Sequence, residues 1–233
     1  MKKFGILSAI LLGVWFFLGA QELPQNSYAA NSLNIDAKFD VESKKIYIEQ
    51  TIVYTNTSKD TLSTVYLNDW MESFSTKSTP LAKRFAEEFN TDIHFAKNEE
   101  RGFTVITSMS QNNKEVANSR LKEQLDVVSV NLNEPVAPGE SYHLKINYIV
   151  QVPSSKFTRY GITSSGEFNL RYWYITPAVY DGEWQYQSHK NLDDLYIPLS
   201  EISISITCPT YFYVNSELTK KKRLLTMKSR KFI

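Results

Sequence analysis

Cysteine is nearly absent from this chain of 233 residues, since Cys208 is its only one. A single cysteine cannot form an internal disulfide, so a disulfide-stapled fold is excluded and stability has to come from a hydrophobic core. Cys208 ends an alternating apolar segment, and no basic residue stands beside it to favour a reactive thiolate. We therefore expect a buried structural thiol rather than a nucleophile.

Glycine and proline are also scarce, with eight of each, which excludes a collagen-like or low-complexity chain. Hydrophobic residues make up 42% of the chain and aromatic residues 13%, which is enough for a packed core. Histidine is limited to His94, His143 and His189, and no two of them are four residues apart. The helical metal-binding pattern His-Glu-x-x-His is therefore missing.

A strong excess of either charge is missing as well, because the formal net charge is +1. The charges are unevenly placed: residues 21–219 hold 17 basic and 25 acidic groups, a net charge of −8, whereas seven basic groups lie within 220–231. The acidic body argues against a nucleic acid as a partner. The basic tail, residues 219–233, is predicted to be disordered or to be the product of a premature stop or a shifted reading frame.

The amino terminus has the pattern of a secretory signal peptide. Two lysines precede an apolar run over residues 4–18, and Ala20 stands before polar residues. The run is shorter than the ~20 residues of a spanning helix, which favours a cleaved leader over an uncleaved anchor. We predict a signal helix over 1–20, a linker over 21–32 and export to the periplasm, the cell surface or the medium, with no stable membrane span after cleavage.

The rest of the chain, residues 33–218, is predicted to contain a series of short strands with apolar residues at alternate positions. Leu33–Phe39 and Ile46–Tyr54 predict a hairpin, although Thr51 is out of phase, and Tyr142–Val150 alternates most strictly. Residues 110–122 are polar and predict an exposed loop. Further strands are predicted at Leu62–Leu67, Phe103–Ile106, Val127–Leu132, Tyr172–Ile175 and Ile202–Thr207.

One segment follows a helical period instead. Thr79 is a good helix cap and Pro80 suits the first helical position. Apolar residues then recur every four positions, at Leu81, Phe85 and Phe89. We predict a short amphipathic helix over about 80–90 in a mostly β fold, an antiparallel β-sandwich or saddle that is preceded by the signal helix.

Aromatic residues are concentrated in the second half of the chain and are candidates for a docking or binding surface. The candidates are Trp173, Tyr174, Tyr180, Trp184 and Tyr186. Three roles are open, namely packing between sheets, docking of another domain and stacking against sugar rings, and core packing is favoured. Asp193 and Asp194 are possible polar contacts, although turn-forming aspartates are the simpler interpretation.

The order of these features resembles the amino-terminal β-domain of M1-family zinc aminopeptidases, over about residues 33–218. The matching segments are a strand that ends in Leu67-Asn68-Asp69-Trp70, the turn Pro138-Gly139-Glu140 before a long strand, the aromatic segment Tyr172–Pro177, and Trp184 followed by Asp193-Asp194 and a strand into Cys208-Pro209. The resemblance rests on the order of many short matches and is closest to divergent, exported bacterial members.

This resemblance implies a non-catalytic domain that caps the active site of a zinc aminopeptidase and helps to bind the amino terminus of a peptide. It implies the catalytic domain of the intact protein as a partner, with peptides as substrates of the intact protein only. Besides His-Glu-x-x-His, the chain lacks the family's Gly-x-Met-Glu-Asn loop, since Met71-Glu72-Ser73 has neither the glycine nor the asparagine. We therefore expect a chain truncated before the catalytic domain, with no catalytic residue and no cofactor of its own; zinc belongs to the parent family.

Two other functions are weighed against this one. The first is a freestanding exported β-sandwich that binds a glycan or a protein through its aromatic residues. The second, a complete enzyme built on Asp193, Asp194 or a histidine, is the least favoured.

Overall fold

The computed structural model describes residues 31–190, 195–219, 223–225 and 229–232. It confirms a mostly β chain with a single α-helix among the described residues, α1 Pro80–Glu87, and short 3₁₀ turns at Trp70–Phe74 and Asn98–Glu100. The strands are β1 Ser32–Asp40, β2 Lys45–Thr55, β3 Leu62–Asn68, β4 Phe103–Gln111, β5 Lys114–Glu115, β6 Ala117–Leu121, β7 Gln124–Val136, β8 Ser141–Gln151, β9 Gly161–Ile162, β10 Phe168–Asn169, β11 Thr176–Pro177, β12 Val179–Tyr180, β13 Trp184–Gln185, β14 Glu201–Pro209, β15 Arg223–Leu225 and β16 Ser229–Phe232.

Two sheets share one hydrophobic core. The larger has eight strands in the order β15-β16-β14-β1-β2-β8-β4-β5, and the smaller has four in the order β11-β3-β7-β6. Ile35 and Ile48 of the larger sheet are buried in the same core as Val65 and Val130 of the smaller one. This packing hides the apolar face of each alternating strand, as a sandwich requires. The pairing in both sheets is antiparallel apart from β1 and β14, which run parallel among the described strands.

The strands with clear alternation form where the sequence predicts them. β1 and β2 are the expected hairpin, with Phe39 opposite Ile46, and β8 lies between β2 and β4. The buried phase of β2 continues through Gln50, which is 0% exposed. Gln50 Nε2 donates to the Ile175 carbonyl at 2.7 Å, and Gln50 Oε1 accepts from the Tyr148 hydroxyl. A polar side chain therefore occupies a core position because both the nitrogen and the oxygen of its amide are hydrogen-bonded there.

Most of residues 110–122 lie in paired strands, so the predicted loop is wrong, although most of these side chains are exposed as expected. The end of β4, β5 and β6 lie in this stretch, and the two-residue turn between β4 and β5 consists of Asn112 and Asn113, with φ of 50° and 64°. Asparagine tolerates the left-handed conformation that such a turn needs. Because β5 and β6 lie at the edges of their sheets, polar side chains suit them, and no apolar alternation reveals them in the sequence.

The predicted strand Tyr172–Ile175 is also wrong, because pairing in this region begins only at β11, opposite the end of β3. Tyr172 has a φ of 47°, a left-handed conformation that interrupts an extended chain. Trp173 and Ile175 are nevertheless buried, at 8% and 0% exposure. The alternation of apolar residues in this segment therefore reflects the burial of alternate side chains and not pairing with a neighbouring strand.

The α-helix begins as predicted and ends earlier. The Thr79 side chain accepts the backbone N–H of Ala82, and Pro80 takes the first helical position. Leu81 and Phe85 are buried in a small second core. Phe89 was expected on the same apolar face, but its φ of 61° ends the helix and its side chain is 94% exposed.

Gly161 lies against the backbone of Pro153 in a conformation that only glycine adopts readily. Its φ is +125°, and a Cβ there would lie 2.4 Å from the Pro153 carbonyl oxygen. Both the dihedral angle and the close approach exclude a side chain. Gly161 therefore holds Pro153 and the following loop in position.

Replacing Gly161 with alanine is expected to lower the free energy of unfolding by about 2–3 kcal/mol, because the methyl group adds overlap to an unfavourable φ. Gly166→Ala is the matched control. Gly166 also has a positive φ, +85°, but a Cβ there would meet nothing within 4 Å, so about 1 kcal/mol is expected. Urea unfolding measures both variants, and equal losses would show that the contact with Pro153 contributes nothing.

The predictions for the two ends of the chain have different outcomes. Two segments of the basic tail, expected to be disordered, form β15 and β16, and β16 pairs with β14. The prediction that Cys208 is buried is confirmed, with 4% exposure. The signal peptide and nearly all of the linker lie outside the described residues, so they stay predictions. No helix within the described ranges combines the length and the apolar composition needed to cross a bilayer.

Candidate functional site

The candidate aromatic residues fall into two groups, and the first belongs to the core. Trp173 is buried, and its ring lies edge-on to Phe39 and Tyr174, with centroid distances of 5.8 and 5.4 Å. Tyr174 is half-buried against the same core. These rings fill space between the sheets, as aromatic side chains in cores do.

The second aromatic group packs around Tyr66 on β3. Its ring centroid is 4.5 Å from that of Tyr186 and 6.0 Å from that of Trp184, and Trp184 lies 5.2 Å from Tyr180. Tyr180, Trp184 and Tyr186 are half-buried. Their use as a docking surface stays a prediction.

The other candidate polar residues are dispersed. Asp193 and Asp194 lie outside the described residues. His94 and His143 are exposed, as expected of surface histidines. His189 lies outside the strands but is only 5% exposed, which its polar sequence neighbours do not suggest.

Three segments that are far apart in sequence meet at the carboxyl end of β3. Asn68 is opposite Thr176 in the sheet. The ring of Trp70 lies edge-on to Tyr172 with 4.8 Å between centroids, and it stacks on His189 at 4.0 Å and 14°. We refer to Asn68, Trp70, Tyr172, Thr176 and His189 as the junction.

Two carboxylates beside the junction share one cation. Asp69 is 3% exposed; its Oδ2 accepts from Arg120 Nη2 at 2.7 Å and its Oδ1 from the Thr104 hydroxyl at 2.8 Å. Glu72 Oε2 lies 3.6 Å from the same Arg120 nitrogen and accepts the Thr104 backbone N–H at 2.9 Å. Burial raises the pKa of Glu72 although the Arg120 charge and the Thr104 hydrogen bond act to lower it. Arg120 therefore keeps two buried acids compatible with the fold.

Asp126 is a third buried carboxylate, on β7, with 1% exposure. It accepts the Ser188 hydroxyl and the His189 backbone N–H, both at 2.7 Å. Its own carbonyl accepts the backbone N–H of Asp69 at 2.8 Å. Burial raises the pKa of Asp126, and the hydrogen bonds from Ser188 and His189 oppose that shift. Asp126 thus ties the segment before residue 190 to β7 and to the end of β3.

His189 is held neutral at the junction. Burial lowers its pKa to about 3, and the charge of Arg171 acts in the same direction, so the imidazole carries no charge at physiological pH. Its Nδ1 and the Nε1 of Trp70 are buried with no hydrogen-bond partner in the described part of the chain. Most buried polar atoms do have a partner, so these two ring nitrogens are unusual.

A cleft of about 330 Å³, its mouth included, opens beside the junction. Its walls include Trp70, Phe74, Tyr160, Arg171, Tyr172 and His189. The Arg171 guanidinium lies 5.6 and 4.9 Å from the ring centroids of Tyr160 and Tyr172, and its Nη1 donates to the Tyr160 hydroxyl at 3.1 Å. Desolvation acts to raise the pKa of Tyr160, but hydrogen bonds from Arg171 and Arg159 outweigh it and the pKa is lowered. The cleft is therefore an aromatic site with one cation in its wall.

Residues 195–218, here named the exposed segment, present large apolar side chains to solvent. They are Tyr196 at 63%, Leu199 at 64%, Tyr211 at 75%, Tyr213 at 77% and Leu218 at 43% exposure. Single exposed apolar residues are ordinary and contiguous patches mark interaction sites, so this segment is a candidate interaction surface.

Sequence reasoning missed Arg120, Asp126 and His189 as a group. Asp126 and His189 are 63 positions apart, and no spacing rule connects them. One signal was present: Asp126 stands inside an apolar, β-branched strand, where an acid is costly unless it is paired.

The described residues contain no group of three or more His, Cys, Asp or Glu side chains arranged to hold a metal ion.

Solved structures similar to this chain include M1 zinc metallopeptidases. A mutant of the enzyme from Deinococcus radiodurans shows 13% identity and a TM-score of 0.48 over 88% of this chain and 37% of that one. The M1 zinc metallopeptidase from the same organism shows 12% identity and a TM-score of 0.46 over 88% and 38%. A two-domain M1 zinc metallopeptidase mutant bound to L-arginine shows 12% and 0.47 over 88% and 37%. The chain thus spans little more than a third of their length, and neither a protein-family model nor a curated protein matches it.

Proposed function

We propose that this chain is the non-catalytic amino-terminal β-domain of an exported, M1-like zinc metallopeptidase. In the intact protein it caps the active site and helps to bind the amino terminus of a peptide substrate. The sequence order of the four matching segments supports this proposal, and two of them, Leu67–Trp70 and Tyr172–Pro177, contact each other at the junction. The chain lacks His-Glu-x-x-His, so the proposal assigns zinc and hydrolysis to the catalytic domain.

The observation that carries the proposal is the exposed segment. Tyr211 and Tyr213 are three-quarters exposed, although aromatic rings of this size are normally buried by a partner or a core. The segment lies near the carboxyl end of the region that resembles the family domain, on the side of the chain from which a following domain would continue. We assign it as the docking surface for that domain.

The proposal is tested on the DNA that follows codon 233 and on the protein that it would extend. We expect a reading frame with His-Glu-x-x-His and Gly-x-Met-Glu-Asn, and an extended protein that binds zinc and hydrolyses an amino-acid arylamide. The chain of 233 residues alone is expected to do neither. A downstream region without such a frame, or zinc-dependent hydrolysis by this chain by itself, would contradict the proposal.

Replacing both Tyr211 and Tyr213 with serine is expected to weaken binding to the separately produced catalytic domain by about tenfold or more, because exposed aromatic anchors dominate interface energies. The same change should lower the fluorescence of an apolar dye bound to this chain. Phe89→Ser with Phe95→Ser is the matched control, since these rings are also exposed but lie beside α1. Calorimetric titration measures the affinities, and equal losses from both pairs would remove the exposed segment from the proposal.

A freestanding binding module is the second candidate, favoured by the half-buried rings of Tyr180, Trp184 and Tyr186. Sugar stacking needs an open ring face, whereas Trp184 already packs against Tyr54, Tyr66 and Tyr180. A glycan array decides between the candidates. A defined glycan whose binding is lost in Trp184→Ala would favour the binding module.

A further inference from the structure

We propose that Glu72 and Arg120 close an open edge of the larger sheet, and that without them strand β4 pairs with β4 of a second copy of this chain. The edge is the outer side of Phe103–Ser108, here named the β4 edge. The inference does not depend on the presence of a catalytic domain. It rests on the pairing of β4, on the composition of this stretch and on the two side chains that occupy its backbone groups.

Strand β4 has a neighbouring strand on one side only over most of its length. It pairs with β8 along residues 103–111, whereas β5 pairs with it only at Ser110 and Gln111. The Val116 N–H adds one bond to the Met109 carbonyl. Between residues 103 and 108, no strand of the described chain lies on the outer side. Backbone groups on such an edge are open to another strand unless something else satisfies them.

The composition of the β4 edge suits strand addition. Its six residues, Phe-Thr-Val-Ile-Thr-Ser, are mostly β-branched or aromatic and include no charge, proline or glycine. Val105 is 47% exposed. An uncharged strand can lie antiparallel to its own copy without placing like charges opposite each other. We therefore assign a second copy of this chain as the partner that fits the β4 edge.

The other edge strands of the two sheets carry protection in their own sequences. The described edges are β5, with Lys114 and Glu115, β6, with Arg120, β11, with Pro177, and β15, with Arg223. A charge or a proline on an edge strand discourages pairing with another chain. The β4 edge has neither, so its protection has to come from another part of the fold.

Two side chains take the place of a neighbouring strand at Thr104. Glu72 Oε2 accepts the Thr104 backbone N–H at 2.9 Å, and Arg120 Nη2 donates to the Thr104 carbonyl at 3.1 Å. Arg120 is itself fixed, because its Nη2 donates to Asp69 Oδ2 and its Nη1 to the Leu125 carbonyl, both at 2.7 Å. Charge-assisted bonds of this kind hold the guanidinium in one position. Both backbone groups that an added strand needs at Thr104 are therefore occupied.

A bulge limits the rest of the β4 edge. Outward-facing backbone groups occur at every second residue of an antiparallel pair, so Ile106 follows Thr104. The pairing with β8 then shifts register between Ile106 and Ser108, and a bulge there interrupts regular pairing. With Thr104 occupied, Ile106 alone is left between these two obstacles. Without Glu72 and Arg120, the regular stretch from Phe103 to Ile106 is open.

Sedimentation velocity on Arg120→Met tests the proposal. Every protein in the test also carries Tyr211→Ser and Tyr213→Ser, so that the exposed segment does not contribute to association. Arg120→Met is expected to self-associate about tenfold or more tightly than this parent, because each copy regains two backbone hydrogen bonds. Equal association of the parent and of Arg120→Met would overturn the proposal.

A charge on the β4 edge separates strand pairing from aggregation of a destabilised chain. Adding Val105→Lys to Arg120→Met should restore the monomer, since the lysines of two copies would meet, and should leave the lowered free energy of unfolding unrestored. Tyr47→Lys is the matched control. Tyr47 and Val105 are both opposite Ile149 and are 42% and 47% exposed, but Tyr47 lies on the interior strand β2. Equal suppression by both lysines would contradict pairing at the β4 edge.

Hydrogen exchange locates the contact in associated Arg120→Met. Exchange should slow in residues 103–108, whereas residues 117–121 of β6, which also lose Arg120, should not be protected. Protection at β6 without protection at β4 would overturn the assignment. If Arg120→Met fails to fold, Glu72→Ala decides, because it removes the acceptor of the Thr104 N–H and leaves Arg120 paired with Asp69. Glu72→Ala should associate more tightly than the parent, and no increase would contradict the proposal.

Discussion

Replacing Arg120 with methionine is expected to destabilise the protein by about 3 kcal/mol, because it leaves buried carboxylates without their shared cation. Asp69 is 3% exposed at its side chain and Glu72 is 12% exposed, and both contact Arg120 Nη2. Methionine keeps most of the apolar stem of arginine, so the loss reports on the charge and its hydrogen bonds rather than on a cavity. Urea unfolding at pH 7 measures it.

Lys114→Met is the matched control for the Arg120 variant. The Lys114–Glu134 ion pair is exposed, with 70% and 53% side-chain exposure, so its loss should cost about 1 kcal/mol or less. Adding Asp69→Asn and Glu72→Gln to Arg120→Met should recover part of the lost stability, since neutral side chains no longer require a cation. A loss below about 1 kcal/mol in Arg120→Met would mean that solvent already screens these acids.

The free energy of unfolding is expected to fall as the pH drops below 6.5, by up to about 1.4 kcal/mol per pH unit, because His189 must stay neutral in the fold. Its pKa is lowered from 6.5 to about 3. A depressed folded-state pKa gives a contribution that is fully present above the unfolded value and is lost as the pH falls towards the folded value. His189→Phe should remove this dependence, since the backbone N–H bond to Asp126 and a ring on Trp70 are both kept.

Two neighbouring acids act in the opposite sense. The pKa values of Glu72 and Asp126 are raised by burial, so their contribution is present at low pH and is lost as the pH rises through the raised values. The free energy of unfolding is measured from pH 7 to pH 4 for the wild type and for His189→Phe. The contributions of Glu72 and Asp126 cancel in the difference between the two proteins where the substitution leaves these acids unaffected. His143→Phe, at an exposed position, is the control and should keep the wild-type slope. A wild-type slope in His189→Phe would show that this imidazole is already protonated in the fold.

The junction lies a few residues before the exposed segment in the chain. Asp126 holds Ser188 and His189 against β7, and the stack of His189 on Trp70 forms one wall of the cleft. Loosening the Arg120 cluster should therefore lower stability, whereas changes at Tyr211 and Tyr213 should affect docking alone.

Local sequence determined the elements whose side chains follow one period. Tyr142–Val150 alternates strictly and is part of β8, and Thr79-Pro80 starts the single helix of the described chain. Such elements can be predicted because neighbouring residues share one environment, a buried face and a solvated face. The helix end was misjudged because Phe89 adopts a left-handed φ, and local periodicity does not report that change.

The sequence alone therefore determined the β-rich class, the hairpin, the helix start, the burial of Cys208 and the resemblance on which the proposed function rests. Only the tertiary structure decided that Gln50 is a core residue, that polar residues 114–121 contribute edge strands, and that Arg120, Asp126 and His189 meet beside Trp70. The physical reason is the range of the interactions. Periodicity and capping act between near neighbours, whereas a buried charge or amide is stable only with partners that the fold brings from distant parts of the chain.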